Sequence, residues 1–214
     1  MTISFRPLVR ADLEMLGGWL ARPHVQRWWQ HDPSPDAVER DFAVSIDGDD
    51  PTHLFVIVLD DRPIGMIQRY RIDDNPEWVD TLSVVDIPPA ALGIDYLIGE
   101  VELTNRSIGS ATIAAFVARS WHDEPESSAI IVDVDPENRP SWRVLERAGF
   151  VRIWTGDLAA PDPRDAGPAH IYRLDRPTTV WAGSVSTAER DPAQSVEWEE
   201  SRPDGGEGNR GVSP

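Results

Sequence analysis

Hydrophobic positions in the first half of the chain alternate between strand-like and helix-like spacing. Residues 3–9 alternate as a strand does, and Leu13, Leu16 and Leu20 then recur at helical spacing before a proline. The pattern therefore predicts a strand, two helices and two further strands joined by a turn-rich tetrapeptide, over residues 3–9, 11–21, 35–46, 52–59 and 64–72.

Residues 73–91 are polar and rich in proline. Several acids surround Trp78 in this stretch, Asp86 among them. A loop of this length inside a compact domain is usually functional. The sequence therefore predicts a functional loop here, with Trp78 and Asp86 as candidate ligand contacts.

The second half has a clearer pattern of strands and helices. A long amphipathic helix follows the first strand, and Asn138 is suited to cap a second helix that ends before Gly149. The predicted order is strand, helix, strand, helix and two strands, over residues 92–98, 107–121, 129–134, 138–148, 150–154 and 170–174. This alternation predicts a mixed α/β domain.

The composition changes near Pro177. From there to residue 214 the chain is rich in Pro, Thr, Ser, Gly and Glu and has few residues that could fill a core. Segments of this kind do not bury enough apolar surface to fold. We therefore expect one domain over residues 1–176 and a disordered acidic tail over residues 177–214.

The chain of 214 residues has a net charge of −17, with 20 basic residues and 37 acidic ones. This charge disfavours nucleic acid and anionic membranes as partners and favours a cationic ligand. The absence of Cys excludes disulfides and thiolate chemistry, and every basic residue is Arg, which excludes lysine Schiff bases. With no long apolar run and no export signal in the sequence, a cytoplasmic protein is expected.

The segment between the strand 92–98 and the next helix is rich in small and polar residues. Small residues let backbone N–H groups approach a ligand, and a helix N-terminus adds partial positive charge, so the segment suits a pyrophosphate. The candidate phosphate-binding residues are Asn105, Arg106, Ser107, Ile108, Gly109 and Ser110. An ordinary strand-to-helix connection remains the alternative.

Two acids interrupt apolar strands. Asp95 lies within residues 92–98, and Asp133 lies within residues 129–134. An acid in such a run either has a partner or has a raised pKa. If the intervening helix is a crossover, the two strands are neighbours, and two carboxylates at their ends could bind an ammonium group and accept its proton. Two structural acids held by backbone N–H groups or Arg are the alternative.

Aromatic and amide side chains could complete the same cleft. Trp28 and Trp29 follow a short helical segment, and an aromatic wall beside carboxylates suits a cationic or sugar-like ligand. Gln68 and Tyr70 share one face of a strand and could line the cleft. Core packing and ordinary surface polarity are the alternatives. The five histidines show no metal-binding spacing, so no metal is expected.

The order of elements, the loop 105–110, and the motifs Asp-Pro-Glu-Asn at 135–138 and Glu-Arg-Ala-Gly-Phe at 146–150 resemble the GNAT superfamily of acetyl-CoA-dependent N-acetyltransferases. Within it, the tryptophan pair, the stretch 65–70 and Gly-Ile-Asp at 93–95 are most similar to the aminoglycoside 6'-N-acetyltransferases. The resemblance implies a central, mostly antiparallel, splayed sheet flanked by helices.

The resemblance also implies roles for individual residues. It makes Asp95 the catalytic base and Asp133 a contact of the substrate amine, with the remaining cleft residues shaping the acceptor site: Trp28, Trp29, Gln68, Tyr70, Trp78 and Asp86. Acetyl-CoA would lie on the phosphate loop, beside the strand end at Leu97 and Ile98, with Asn138 bonded to its arm. The oligomeric state stays open between monomer and homodimer.

Two departures from the family pattern matter. Asn105 and Ser107 stand where glycines are common, and Leu145 replaces the tyrosine that usually protonates the departing thiolate. Siderophore-type lysine and hydroxylysine N-acyltransferases also tend to lack that tyrosine, but they usually have a histidine where this chain has Asp95. The expected function is therefore acetylation of an aminoglycoside 6'-amine, with siderophore-type acylation or a non-catalytic acyl-CoA-binding domain as alternatives.

Overall fold

In the computed structural model, which describes residues 1–103 and 108–177, a single seven-stranded sheet runs through the domain in the order β1-β2-β3-β4-β5-β7-β6. Every neighbouring pair is antiparallel except β4 and β5. The strands are β1 Ile3–Pro7, β2 His53–Leu59, β3 Arg62–Arg71, β4 Leu92–Ile98, β5 Ala129–Val134, β6 Val151–Leu158 and β7 Gly167–Asp175. The predicted mixed, mostly antiparallel class is confirmed.

Six helices cover the two faces of this sheet within the described residues. They are α1 Leu13–Leu20, α2 Pro23–Trp29, α3 Pro35–Asp47, α4 Pro76–Thr81, α5 Ile108–Asp123 and α6 Arg139–Arg147. One face packs on α5 and α6 around buried Ile67, Ile94 and Phe116. The other face carries two separate apolar clusters, one beneath α1–α3 and one beneath α4 and the segment that follows it.

A gap between these two clusters leaves the middle of the sheet uncovered on this face. Leu97 and Met66 belong to the cluster under α1–α3, whereas Tyr70 and Ile131 belong to the cluster under α4. Strand residues alternate between faces, so the residues of β3, β4 and β5 that lie between the clusters point into the gap. The sequence places polar side chains at those positions.

The sheet also opens along its length. The parallel strands β4 and β5 pair only at Leu92 with Ile130 and at Gly93 with Ile131. Beyond Gly93 the rest of β4 keeps its ladder with β3, up to Gly65 opposite Ile98, but has no partner on the β5 side. The backbone edge of β4 is therefore free to face a ligand, as the predicted splay requires.

The structure corrects several predicted boundaries. The stretch 73–91 is not one irregular loop, because Pro76 begins the short helix α4, a position where proline needs no hydrogen-bonded N–H. The last two strands are longer than predicted and form a hairpin from Val151 to Asp175. The predicted tail, apart from Pro177, lies outside the described residues. No helix of the described residues is long and apolar enough to cross a membrane.

Candidate active site

A row of polar side chains crosses the middle of the sheet in the gap between the two apolar clusters. Gln68 of β3 lies opposite Asp95 of β4, and its amide donates a hydrogen bond of 2.9 Å to the Asp95 carboxylate. Asp133 of β5 lines the same cavity as Gln68 and Asp95, which is described below. Three neighbouring strands thus bring two carboxylates and an amide to one place, as the alternation of the strands predicted.

Gly93 allows the Tyr70 ring to pack closely against the backbone of β4 beside this row. A Cβ at Gly93 would lie 2.4 Å from ring atoms of Tyr70, which occupies the space where a side chain would stand. The Tyr70 ring stacks on Trp78 with centroids 6.2 Å apart, and its hydroxyl is one of the groups that lower the pKa of Asp95. The glycine that precedes Asp95 in the Gly-Ile-Asp motif is therefore needed so that Tyr70 can support the carboxylate.

The row forms the floor of a cavity of about 410 Å³, here called the acceptor cavity. Its walls are aromatic, and four carboxylates face it from β4, from β5 and the residue that follows it, and from the β6–β7 loop. The aromatic residues are Trp28, Trp29, Trp78 and Tyr96, and the acids are Asp95, Asp133, Asp135 and Asp165. An enclosed space with several carboxylates and aromatic faces favours a ligand that carries positive charge.

The electrostatics of the two central acids suit proton transfer near neutral pH. Burial raises the pKa of Asp95 to about 6, and Asp165 adds to this by repulsion, whereas hydrogen bonds from Gln68 and Tyr70 oppose it. Burial also raises the pKa of Asp133 to about 7, with repulsion from Asp95 as the next cause. A carboxylate with a raised pKa is a stronger base than an ordinary one, which is what a general base requires.

A second cavity of about 510 Å³, here called the cofactor cavity, adjoins the first and has a different character. Its walls include apolar Leu97, Ile98, Leu103 and Val144, and one face of α6 adds Arg139, Arg143 and Arg147. The three guanidinium groups recur every four residues, so they share one side of the helix. The cavity therefore suits an elongated ligand with an apolar part and an anionic part.

The start of α5 closes one end of the cofactor cavity. Gly109 and Ser110 line it, and a Cβ at Gly109 would lie 3.0 Å from a methyl group of Val144, so the glycine allows α5 and α6 to approach. The hydroxyl oxygen of Ser110 is buried and has no hydrogen-bond partner in the described residues. Together with the helix N-terminus, this free hydroxyl offers donors to an anion.

Side chains also reach the open edge of β4. The indole of Trp29 donates to the carbonyl of Tyr96 at 3.4 Å, and a ring nitrogen of His24 lies 3.0 Å from the carbonyl of Ile98. Asn138 caps α6 with its side-chain oxygen, which accepts from the Ser141 N–H at 3.3 Å. The amide nitrogen of Asn138 is left to face the ligand, since this residue lines both cavities.

The predicted site residues fall into three groups. Most of them line one cavity or the other, whereas Tyr70 lines neither and packs beside the polar row against Trp78. Asp86 is exposed and outside both cavities, and its carbonyl accepts a 3.4 Å hydrogen bond from Arg173. Ile108 is buried in the core under α5 rather than in a cavity. Asn105, Arg106 and Ser107 lie outside the described residues.

Sequence reasoning missed the contribution of the β6–β7 loop. Arg164 and Asp165 of this loop line the acceptor cavity, and Arg164 donates a 3.0 Å hydrogen bond to Nδ1 of His31. The same guanidinium pairs with Asp162 at 2.5 Å. No spacing in the sequence links this loop to the connection between α2 and α3, because the two segments meet only through the fold.

Comparison with known proteins assigns this architecture to a family. Residues 9–158 match the Acetyltransferase (GNAT) domain. The chain is 28% identical over 177 residues to the aminoglycoside N(6')-acetyltransferase type 1 of Klebsiella pneumoniae, covering 81% of this chain and 82% of that protein. It is 26% identical over 173 residues to the lysine N-acyltransferase MbtK of Mycolicibacterium paratuberculosis, covering 78% of this chain and 71% of that protein.

Solved structures agree with this assignment. The aminoglycoside acetyltransferase AAC(6')-Ib in complex with coenzyme A and kanamycin superposes with a TM-score of 0.71 at 28% identity, over 82% of this chain and 95% of that one. The same enzyme with ribostamycin and coenzyme A gives a TM-score of 0.72 at 27% identity, over 82% and 94%. The predicted resemblance, fold and use of acetyl-CoA are thereby confirmed. This chain belongs to the GNAT acetyltransferase family and is an acetyl-CoA-dependent N-acetyltransferase.

Proposed function

We propose that the acceptor is a primary amine of a polycationic small molecule, specifically the 6'-amine of an aminoglycoside. The observation that carries this proposal is the acceptor cavity itself, where Asp135, Asp165 and three tryptophans surround the pair Asp95 and Asp133. A ligand with several ammonium groups and sugar-like rings complements both the charge and the aromatic walls. The relatives that act on aminoglycosides, by their names, support the same choice.

The residues of the acceptor cavity account for amine activation. A primary amine with a pKa near that of lysine, about 10.4, is protonated at neutral pH and is not nucleophilic. Asp95 takes one of its protons, directly or through a water, and the raised pKa of Asp95 makes the transfer easier. Asp133 holds the remaining charge of the ligand close to β4. The free nitrogen is then aimed at the opening between β4 and β5.

The residues of the cofactor cavity fit acetyl-CoA. This co-substrate supplies an acetyl group as a thioester, on an apolar arm with phosphates at the other end. The unpartnered hydroxyl of Ser110 and the start of α5 would hold the diphosphate, and Arg139, Arg143 and Arg147 offer further positive charge. The free edge of β4 would pair with the amide groups of the arm and stabilise the negative charge that develops on the carbonyl oxygen.

A second candidate is acylation of a lysine or hydroxylysine side chain of a siderophore precursor. The match to MbtK, a lysine N-acyltransferase, favours it, as does the absence of a tyrosine at position 145. A lysine derivative carries fewer positive charges than an aminoglycoside. The four carboxylates of the acceptor cavity therefore favour the polycation.

The choice is tested by thiol release from acetyl-CoA with a panel of amines at matched concentration. Kanamycin and ribostamycin represent the first candidate, and lysine, hydroxylysine and their amides represent the second. We expect turnover of the aminoglycosides, with the acetyl group on the 6'-nitrogen by mass spectrometry and NMR. Turnover of the lysine derivatives alone, or only with longer acyl-CoA donors, would reject the aminoglycoside assignment.

A further inference from the structure

The departing sulfur of coenzyme A needs a partner, and position 145 does not supply one. Leu145 is fully buried among the core residues under α5, and its side chain lines neither cavity. The side of α6 that faces the cofactor cavity carries Ser141 and Val144 instead. Any hydrogen bond that α6 donates to the sulfur must therefore come from that side of the helix.

The two cavities share a short boundary. Trp28, Trp29, Tyr96, Asn138 and Ser141 line both of them. With the amine in the acceptor cavity and acetyl-CoA in the cofactor cavity, as the proposed function places them, the carbon–sulfur bond that breaks lies at this boundary. Among the described residues that line both cavities, Tyr96 and Ser141 are the two that carry hydroxyl groups.

These two hydroxyls are bonded to each other across the open side of the sheet. Tyr96 extends from β4 and Ser141 from the first turn of α6, and their hydroxyl oxygens lie 2.7 Å apart. The Tyr96 hydroxyl can also donate its one proton to the Ser141 carbonyl, 3.2 Å away. When Tyr96 donates to the Ser141 hydroxyl, the hydrogen of Ser141 is free to turn toward a third atom.

The pair is built to donate hydrogen bonds and not to ionise. Burial is the main cause that raises the pKa of Tyr96; the hydrogen bond with Ser141 opposes this shift, and the nearby negative charge of Asp95 adds to it. The phenol therefore stays protonated at neutral pH. A hydroxyl that keeps its proton can hold Ser141 in one orientation throughout the reaction.

We propose that Ser141 is a catalytic residue that donates a hydrogen bond to the sulfur of coenzyme A as the thiolate leaves, and that Tyr96 positions it. The bond from the amine nitrogen to the carbonyl carbon forms, the carbon–sulfur bond breaks, and sulfur keeps the electron pair. One ammonium proton goes to Asp95 and the other to solvent. Both hydroxyls keep their protons, and the thiolate takes its proton from water after release.

The direct test is the thiol pKa of coenzyme A bound to the enzyme, followed by the ultraviolet absorbance of the thiolate. A hydrogen bond to the thiolate favours the charged form and lowers this pKa below that of the free thiol, about 8.5. We expect the wild-type enzyme to lower it and S141A to bring it back toward the free value. This readout needs no amine, so it stands apart from the identity of the acceptor.

The kcat values of the variants should change in parallel with the thiol pKa. S141A is expected to lower kcat roughly ten- to one-hundred-fold, the usual effect of losing one hydrogen bond to a charged group, with the affinity for coenzyme A within twofold. S141T keeps the hydroxyl and should stay close to wild type in both kcat and thiol pKa. Y96F, which leaves Ser141 without its positioning partner, should be intermediate.

A purely structural role would give a different pattern. The cap of α6 uses the backbone N–H of Ser141, and Tyr96 can still donate to the Ser141 carbonyl in S141A, so the variant should fold. A thermal unfolding midpoint close to wild type checks this. The proposal is overturned if S141A keeps wild-type kcat and thiol pKa, or if S141T loses as much activity as S141A with the thiol pKa unchanged.

Discussion

The two cavities differ in charge and in the number of chain segments that supply their charged residues. The acceptor cavity collects four carboxylates from three separate segments, whereas the cofactor cavity is apolar and presents three arginines of a single helix. In a chain with a net charge of −17, this separation is a local arrangement and does not follow from composition. Each cavity carries the charge opposite to that of the ligand proposed for it.

The difference teaches how one domain brings together a cation and a polyanion. In solution, a protonated amine and a phosphate-bearing co-substrate attract each other through the phosphates. This attraction does not bring the amine to the thioester. In the proposed arrangement, the opposite charges of the two adjoining cavities would hold each ligand in its own cavity and let the reactive groups meet at the shared boundary. The variants below test each side of this arrangement separately.

The largest effect is expected on the acidic side, from Asp95→Asn. The amide has nearly the same shape as the carboxylate but does not accept the ammonium proton, so kcat should fall by roughly a hundredfold or more. Affinity for acetyl-CoA should stay within twofold, because Asp95 does not line the cofactor cavity. Steady-state kinetics and calorimetric titration measure the two quantities.

A matched control for Asp95→Asn is Asp61→Asn. Asp61 is exposed in the turn between β2 and β3, with φ of 66°, a backbone conformation that asparagine tolerates well. This variant removes the same charge from the protein but should keep wild-type kinetics. If Asp95→Asn turns over normally at neutral pH, Asp95 is not the base.

A smaller effect is expected from Asp133→Asn. This change removes one of the two central charges that hold the ammonium but leaves the base in place. The KM for the amine should rise roughly tenfold, in line with the loss of one charged hydrogen bond, and kcat should change less. An equal loss of kcat with no change in the KM of the amine would show that Asp133 takes part in proton transfer rather than binding.

The smallest effect is expected on the cationic side, from the double variant Arg143→Gln and Arg147→Gln. These side chains lie at the solvent edge of the cofactor cavity, so each ion pair with a phosphate is screened. The KM for acetyl-CoA should rise about three- to tenfold, and less at high salt, while the KM of the amine stays constant. Arg40→Gln, on helix α3 outside the cofactor cavity, is a control for the loss of one arginine charge.

A rise in the KM of the amine in the double arginine variant would contradict the claim that each cavity acts on one ligand. Such a result would mean that the arginines act on both ligands. An unchanged KM for acetyl-CoA at low salt would place the phosphates elsewhere, on the start of α5 alone.

The sequence predicted the central carboxylates because each one interrupts an apolar strand. Asp95 and Asp133 stand out against isoleucine and valine neighbours, and strand alternation alone places Asp95 on the face of Leu97. Asn138 was likewise visible from its position before a helix. Local patterns of this kind are reliable because they show which side of a strand or helix is buried.

Other parts of the site depend on contacts between distant segments. Asp165 and Arg164 reach the acceptor cavity only because the hairpin of β6 and β7 is longer than its apolar pattern suggests. The bond between Tyr96 and Ser141 joins residues 45 positions apart. The spacing of Arg139, Arg143 and Arg147 was a usable signal, since residues four apart share a helix face.

The most direct test of the central claim is the pH dependence of kcat/KM in wild-type enzyme and in Asp95→Asn. Asp95 accepts a proton only when it is ionised, so its raised pKa should make the rate rise with pH through a midpoint near 6, with a second ionisation from Asp133 near 7. We expect this acid limb in the wild type, and we expect the small residual rate of Asp95→Asn to lack the ionisation near 6. An unchanged acid limb in the variant, or a wild-type rate that is flat between pH 5 and about 8, would contradict this claim.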